Sequence, residues 1–189
     1  TLAGAVERAG HPDIGRDAGE LTGAETCGVR LTDSLSSALD DADVLIDFSF
    51  HEVVADNAEL AAKAGKPIVL GTTGLTAGET VKVHLAAAKI PIVQAPNMSL
   101  GINLLFSVLE KSARLLGSDY SIAIEETHHV HKKDAPSGTA LRLGEKIASG
   151  LGKDFAAIMF HDEEGRSGAS PAGKIPVRSY RRGEAIGDH

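Results

Sequence analysis

The strongest constraint on this chain is a rhythm in its first half. Four short apolar runs, Leu2 to Val6, Val44 to Phe48, Pro67 to Leu70 and Ile90 to Val93, alternate with segments of helical spacing. Runs that short suit buried strands. The intervening Ser34 to Leu39, Val53 to Ala64 and Glu79 to Ala88 suit helices, with Gly65 placed to close the second. Strands separated by helices run parallel, because a parallel return needs a crossover where an antiparallel one needs only a tight turn. The sequence therefore predicts a parallel α/β unit. Each strand ends in a polar or glycine-bearing loop: Glu7-Arg8-Ala9-Gly10, Asp47-Phe48-Ser49, Gly71-Thr72-Thr73-Gly74 and Ala95-Pro96-Asn97-Met98-Ser99. Ligands of open parallel sheets bind at the carboxyl ends of the strands. Four such loops point to one site.

From Gly101 the rhythm changes. Ile102, Leu105, Val108 and Leu109 give a long helix an apolar face, and Gly117 offers its stop. Tyr120 to Glu125 alternates as a strand with one solvated face, Thr139 to Ala148 reads as a second helix, and Ile175 to Tyr180 as a further strand. The expected organisation is a dinucleotide-type domain over residues 1–99 and an α+β domain over 100–189. The chain opens without Met inside an apolar run and closes at Gly187-Asp188-His189 without a terminating element, so it reads as part of a longer protein.

Composition narrows the function classes. Hydrophobic residues at 42% and charged residues at 24% describe a globular chain. A net charge of -7 argues against a nucleic-acid or anionic-membrane surface while leaving room for a local anion site. The single Cys27 excludes an internal disulfide or a thiolate metal cluster, and a reducing compartment follows. The uncharged stretch from Ile90 to Leu109 could span a bilayer by length, yet it holds Pro91, Gln94, Pro96, Asn97, Gly101 and Asn103. A strand, a loop and a helix start account for it, and no membrane span is expected.

Three places could carry chemistry. Glu7 and Arg8 follow a strand, where an acidic residue can accept hydrogen bonds from an adenosine ribose and an Arg can pair with a 2′-phosphate. A solvated surface pair is the plain alternative, since any glycine fingerprint that would decide it would lie before Thr1. Gly71-Thr72-Thr73-Gly74 allows close backbone approach and offers hydroxyls to a cofactor edge, or is simply a tight loop. Pro96-Asn97 is likewise a rigid turn or a loop closing over a nicotinamide.

The third place, Glu125 to Ala140, is the most informative. It holds three of the chain's eight histidines and two lysines just past a strand. His129 and His131 could ligate zinc, but no Cys and no helical His-Glu framework completes the set, so no metal is expected. Pro136 holds Ala135 extended, Gly138 permits a tight turn, and Ser137 can cap a helix starting near Thr139. The amides of Ser137, Gly138 and Thr139 would then face an anion. A cationic pocket for a carboxylate-bearing substrate is the economical reading.

The run from Glu126 to Ala140 resembles the active-site signature Glu-x-His-His-x-x-Lys-x-Asp-Ala-Pro-Ser-Gly-Thr-Ala of the bacterial 4-hydroxy-tetrahydrodipicolinate reductase family. Supporting similarity runs from Glu7-Arg8 through Asp47-Phe48-Ser49, the Gly71 loop and the Ala95 loop to Gly183. The resemblance implies a Rossmann-like nucleotide domain, incomplete at its N-terminus, followed by an α+β substrate domain. It implies that NADH or NADPH reduces a cyclic dicarboxylate to tetrahydrodipicolinate in lysine and diaminopimelate biosynthesis, by a cytoplasmic homotetramer. By the same resemblance His128 and Lys132 are catalytic, and His129, Ser137, Gly138 and Thr139 bind substrate. Glu7, Arg8, Gly71, Thr72, Thr73, Ala95, Pro96, Asn97 and Met98 would line the cofactor. The family's Gly-x-Gly-Gly-Arg-Met-Gly-like loop would precede Thr1, and its last substrate-domain strands would follow His189. Two other readings compete: another two-domain NAD(P)-dependent dehydrogenase, and a non-catalytic dinucleotide sensor.

Overall fold

Parallel pairing governs the strand ladders of the computed structural model, which describes residues 1–163 and 171–189. In the first unit, Thr1–Ala95, β1 (Ala5–Val6) pairs with β2 (Leu31–Thr32). A separate parallel sheet runs in the order β3 (Leu45–Asp47), β4 (Ile68–Leu70), β5 (Ile92–Gln94). The connections are helical: α1 (Ala18–Leu21) and α2 (Leu35–Leu39), then α3 (His51–Ala64) and α4 (Ala77–Ala87). Val54, Ala58 and Ala61 of α3 join Val83 and Ala86 of α4 over Ile68 and Leu70, so the middle strand carries the core. Helix α3 stops where Gly65 turns left-handed at φ 68°. Helix α4 begins ahead of Glu79 because Thr76 and Glu79 form a reciprocal capping box.

The second unit, Pro96–His189, holds α5 (Leu100–Leu116), β6 (Ile124–His128), α6 (Gly138–Gly150), α7 (Phe155–Ile158), β7 (Met159–Glu163) and β8 (Ile175–Arg181). Its sheet, in the order β6-β8-β7, is also parallel. Phe106 and Ala113 of α5 and Ala140, Leu143 and Ile147 of α6 bury Ile124, Ile175 and Val177. Arg178, on the central strand, donates to Glu125 on β6 at 2.9 Å and to Asp162 on β7 at 3.2 Å, tying the sheet across its width. The division falls after Ala95, ahead of the expected 99/100 boundary, because segment 96–99 bonds forward. Asn97 reaches Thr139 at 3.1 Å and Ser99 caps α5.

Two expectations need correction. The strand placed over Tyr120 to Glu125 runs instead over Ile124–His128. Its ladder with β8 opens at the Ile124–Val177 pair, which leaves the preceding residues without a strand partner. The alternation is real with a later start, and it turns Ile124, Glu126 and His128 inward together. Four elements, α1, β2, α7 and β7, had no counterpart in the sequence reading. Much of the 17–28 segment is organised by Asp17, which accepts the amides of Gly19, Cys27 and Gly28. Those bonds, that from Cys27 foremost, hold its carboxyl down at about 2.

Helices α5 and α6 meet at a glycine. A Cβ on Gly150 would lie 2.3 Å from the Glu110 carbonyl oxygen and 2.9 Å from the Ala113 Cβ. Backbone cannot yield as a side chain can. Gly150→Ala is therefore expected to cost about 1–3 kcal/mol, the usual range for overpacking, seen as a lower urea midpoint at unchanged slope.

Candidate active site

In the first unit the ends of β1 and β3, with residues after β2, line a groove of about 950 Å³ that includes Val6, Glu7, Arg8, Ile46, Phe48 and Asn57; the loops at Gly71 and Ala95 are not part of its lining. Its organiser is buried Asp47, at the end of β3. That carboxylate accepts the Ser49 amide at 2.7 Å and the Asn57 side-chain amide at 2.9 Å, which folds the loop back over the start of α3. The next loop is fastened to this one: the Gly71 amide donates to the Asp47 carbonyl at 2.9 Å, and the Thr72 hydroxyl to the Ser49 carbonyl at 2.7 Å. A Cβ at position 71 would lie 2.0 Å from the exposed Phe48 ring, so a larger residue there requires that ring to turn aside. Thr73 follows, half-buried, and Ala95 continues the ladder through its amide to Leu70 O at 3.1 Å.

This surface suits a dinucleotide. Phe48 and Phe50 are 65% and 60% exposed at a strand end, apolar faces against which a flat ring can lie. Glu7 Oε1 accepts the Arg8 amide at 2.7 Å, and Glu7 is otherwise open to ribose hydroxyls. The exposed Arg8 guanidinium has no carboxylate partner among the described residues, as a phosphate reader requires. Of the remaining expected cofactor residues, Pro96, Asn97 and Met98 belong to the second unit, where the Asn97 side chain holds Thr139.

The second unit gathers the rest of the expected residues at the end of β6 and the start of α6. His128 is the last residue of the strand and is buried. Its Nδ1 lies 3.4 Å from Oε2 of Glu126, two positions back on the same face. Lys132 pairs with Asp134 at 2.8 Å. The loop between strand and helix is held by Arg181, which lies opposite His128 in register on β8. Its guanidinium donates to the carbonyls of Lys132, at 3.2 Å, and of Asp134. His129 and His131 stand with ring centroids 6.1 Å apart. Ser137 caps α6 by accepting the Ala140 amide at 3.2 Å. The first two helical amides, of Gly138 and Thr139, have no intrahelical acceptor and are free for an anion.

One expectation changes here. The Ser137 amide, read as part of the anion cradle, donates instead to Glu126 Oε1 at 3.0 Å. Buried Glu126 requires donors, and the chain supplies this one from the helix cap.

Sequence reasoning also missed three participants. Glu126 has a wholly buried side chain, Arg181 approaches its Oε1 at 3.7 Å, and His189 Nε2 lies 3.8 Å from Oε2 and 3.0 Å from the Ser137 hydroxyl. Glu126 stood in the signature without an assigned role. Its signal was the two-residue spacing to His128, invisible until the strand was phased correctly. Glu126, His128 and His189 place ligand atoms within 4.8 Å of one another, so this group, rather than His129 and His131, has metal-ligand spacing.

Electrostatics follow burial. Desolvation would raise the Glu126 carboxyl, but the Ser137 and Ser179 hydroxyls, the Ser137 amide and the nearby His128 bring it below its usual value. His128 is pushed below the ordinary imidazole range by burial, opposed by Glu126 and reinforced by Lys132. Burial acts likewise on His189, again opposed by Glu126. Both rings are therefore neutral at pH 7.

Comparison with known proteins identifies the family. The family description "Dihydrodipicolinate reductase, N-terminus" matches residues 1–98, and "Dihydrodipicolinate reductase, C-terminus" matches residues 101–189. The chain belongs to the dihydrodipicolinate reductase family. The 4-hydroxy-tetrahydrodipicolinate reductase of Anaeromyxobacter dehalogenans is 46% identical over 189 residues, covering 100% of this chain and 70% of the relative. That of Pseudomonas fluorescens is 47% identical over 188 residues, with 70% of its length covered. In fold, the chain is similar to a dipicolinate-bound dihydrodipicolinate reductase from Paenisporosarcina sp. TG-14. The TM-score is 0.58 at 24% identity, with 98% of this chain and 70% of that one covered. The Rossmann-like first unit is the NAD(P)-binding part of this oxidoreductase family.

The two neutral histidines predict a pH dependence. Below about 6.5, the ordinary imidazole value, the unfolded chain takes up protons that the folded chain refuses, so stability falls as pH drops. The urea midpoint should decline from pH 7 to pH 5, and His189→Gln should flatten that decline.

Proposed function

We propose that this chain carries out the family's reaction, reduction of 4-hydroxy-tetrahydrodipicolinate to tetrahydrodipicolinate with NADH or NADPH and release of water, through His128 and Lys132. The observation carrying the role assignment is the neutral, buried His128 set beside Lys132 and a helix start with two open amides. When bound, the nicotinamide supplies the hydride. Glu7 and the Arg8 guanidinium hold the adenosine ribose and any 2′-phosphate, while Gly71, Thr72, Thr73 and the Ala95–Met98 segment line the rest of the cofactor.

The residues of the second unit meet the demands of the substrate. A cyclic dicarboxylate carries two negative charges, and the amides of Gly138 and Thr139 at the N-terminus of α6 suit one carboxylate. His129 and the Lys132 ammonium serve the other. Hydride addition leaves electron density on the ring that must take up a proton. The Lys132 ammonium can donate a proton, and the neutral His128 ring can accept one. Asn97 fixes Thr139 from outside the helix. Ser137 belongs to the supporting frame, because its amide is committed to Glu126 and its hydroxyl to the helix cap. A cytoplasmic homotetramer, assembled through the sheet of the second unit, completes the reading.

His128→Gln should lower turnover by roughly 10²-fold or more, the range for lost proton transfer, while NADH binding measured by fluorescence stays near normal. Lys132→Ala should lower turnover and also raise the KM for substrate, since a cation is lost. Thr139→Ala should be milder because the backbone amide survives. Near-normal turnover in both the His128 and Lys132 variants would falsify the role assignment.

Arg8→Ala separates the two cofactors. The dissociation constant for NADPH should rise more than that for NADH, because only NADPH loses a charge-assisted phosphate contact. Equal changes would remove Arg8 from that role.

A further inference from the structure

Two buried polar atoms beside each other lack hydrogen bonds among the described residues: Glu126 Oε2 and His128 Nδ1. They lie 3.4 Å apart, on side chains that are 0% and 10% exposed. Burying an unmet donor or acceptor is costly, and one such atom in a site calls for a reason. Here each is the other's natural complement. A hydrogen on Nδ1 needs an acceptor, and the second oxygen of a carboxylate needs a donor. At 3.4 Å they are already close to that bond, and catalytic hydrogen bonds commonly tighten once substrate is held.

We propose that Glu126 is the positioning residue of His128: it keeps the ring proton on Nδ1, leaves Nε2 as the atom that exchanges protons, and supports the imidazolium when it forms. This rests on the assignment of His128 as a proton-transfer group. The surroundings explain why the carboxylate can do this without moving. Its other oxygen accepts the Ser137 amide at 3.0 Å, and Arg181 stands 3.7 Å from that oxygen. Glu126 is thereby clamped to the start of α6 and to β8, while Oε2 alone is directed at the histidines. On the far side of the ring, Nε2 faces Gly187, where a Cβ would come within 3.0 Å. The absence of a side chain there keeps that nitrogen approachable. The other charged or titratable groups acting on His128 are Lys132, His189 and Arg181, and these oppose its protonation. Glu126 is the one acidic group among those acting on it, so removing this charge has a defined direction.

Glu126→Gln tests the proposal with nearly unchanged shape. The amide oxygen can still accept from Ser137, which leaves the NH2 group facing Nδ1 and turns that nitrogen from donor to acceptor. Expected are a kcat at least roughly tenfold lower, an unchanged KM for NADH, and a movement of the His128 limb of the pH profile to lower pH. In ¹⁵N NMR of the imidazole, wild-type His128 should be the Nδ1–H form and the variant the Nε2–H form. Added to His128→Gln, Glu126→Gln should bring little further loss, because its effect passes through the ring. Losses that multiply, or a variant with wild-type kcat and pH profile, overturn the proposal. If Glu126→Gln does not fold, the wild-type NMR decides: an Nε2–H ring overturns it. Should His128→Gln alone turn over normally, the catalytic assignment fails, and the tautomer still reports whether Glu126 positions the ring.

Discussion

The second unit is arranged around the requirement that a buried carboxylate be satisfied. A charge taken from water costs several kcal/mol unless partners replace its hydration, and Glu126 has none of its side chain exposed. Each partner comes from a different element. The cap of α6 provides an amide, β8 provides a guanidinium, and the segment after β8 provides His189. Strand, helix and the segment after β8 are thereby brought to one point by electrostatics rather than by shape alone. The apolar contacts of α5 and α6 against the sheet supply the bulk of the burial.

A smaller version of the same device occurs in the first unit. Asp47 is buried at the end of β3 and gathers the Ser49 amide and the Asn57 side chain. The consequence is local order in loops that would otherwise be free to vary. In both units a buried acidic residue on a strand, Asp47 at the end of β3 and Glu126 in the middle of β6, gathers backbone from the segments around it. Groups assigned to ligand contact, such as Arg8, Gly138 and Thr139, are then left available because the structural load falls on neighbours.

Most of this was legible where local rules suffice. Apolar runs flanked by helical periods specified parallel β-α units, and residues with a single mechanical role, such as Gly65 and Gly117 as helix stops and Ser137 as a cap, were found where their chemistry placed them. Non-local pairing was not legible. Strand β6 was displaced because its first residue is set by where Val177 comes to lie, 53 positions away in the Glu125–Arg178 pairing of the same ladder. The error hid Glu126, since the inward face of a strand can be read only when its phase is known. Arg181 and His189 were equally hidden, because their roles arise from register with β6 and from the return of the chain past Thr127. Strands as short as β2 carry too little periodicity to be recognised at all.

Arg181 grips the loop that follows β6 by carbonyl oxygens, those of Lys132 and Asp134, rather than by side chains. A grip on the main chain is indifferent to which residues the loop carries. The path of the loop and its chemical identity are in this way set by different groups. The side chains at neighbouring positions such as Val130 and Lys133 take no part in this grip, so replacing them leaves the two carbonyls that Arg181 holds where they are.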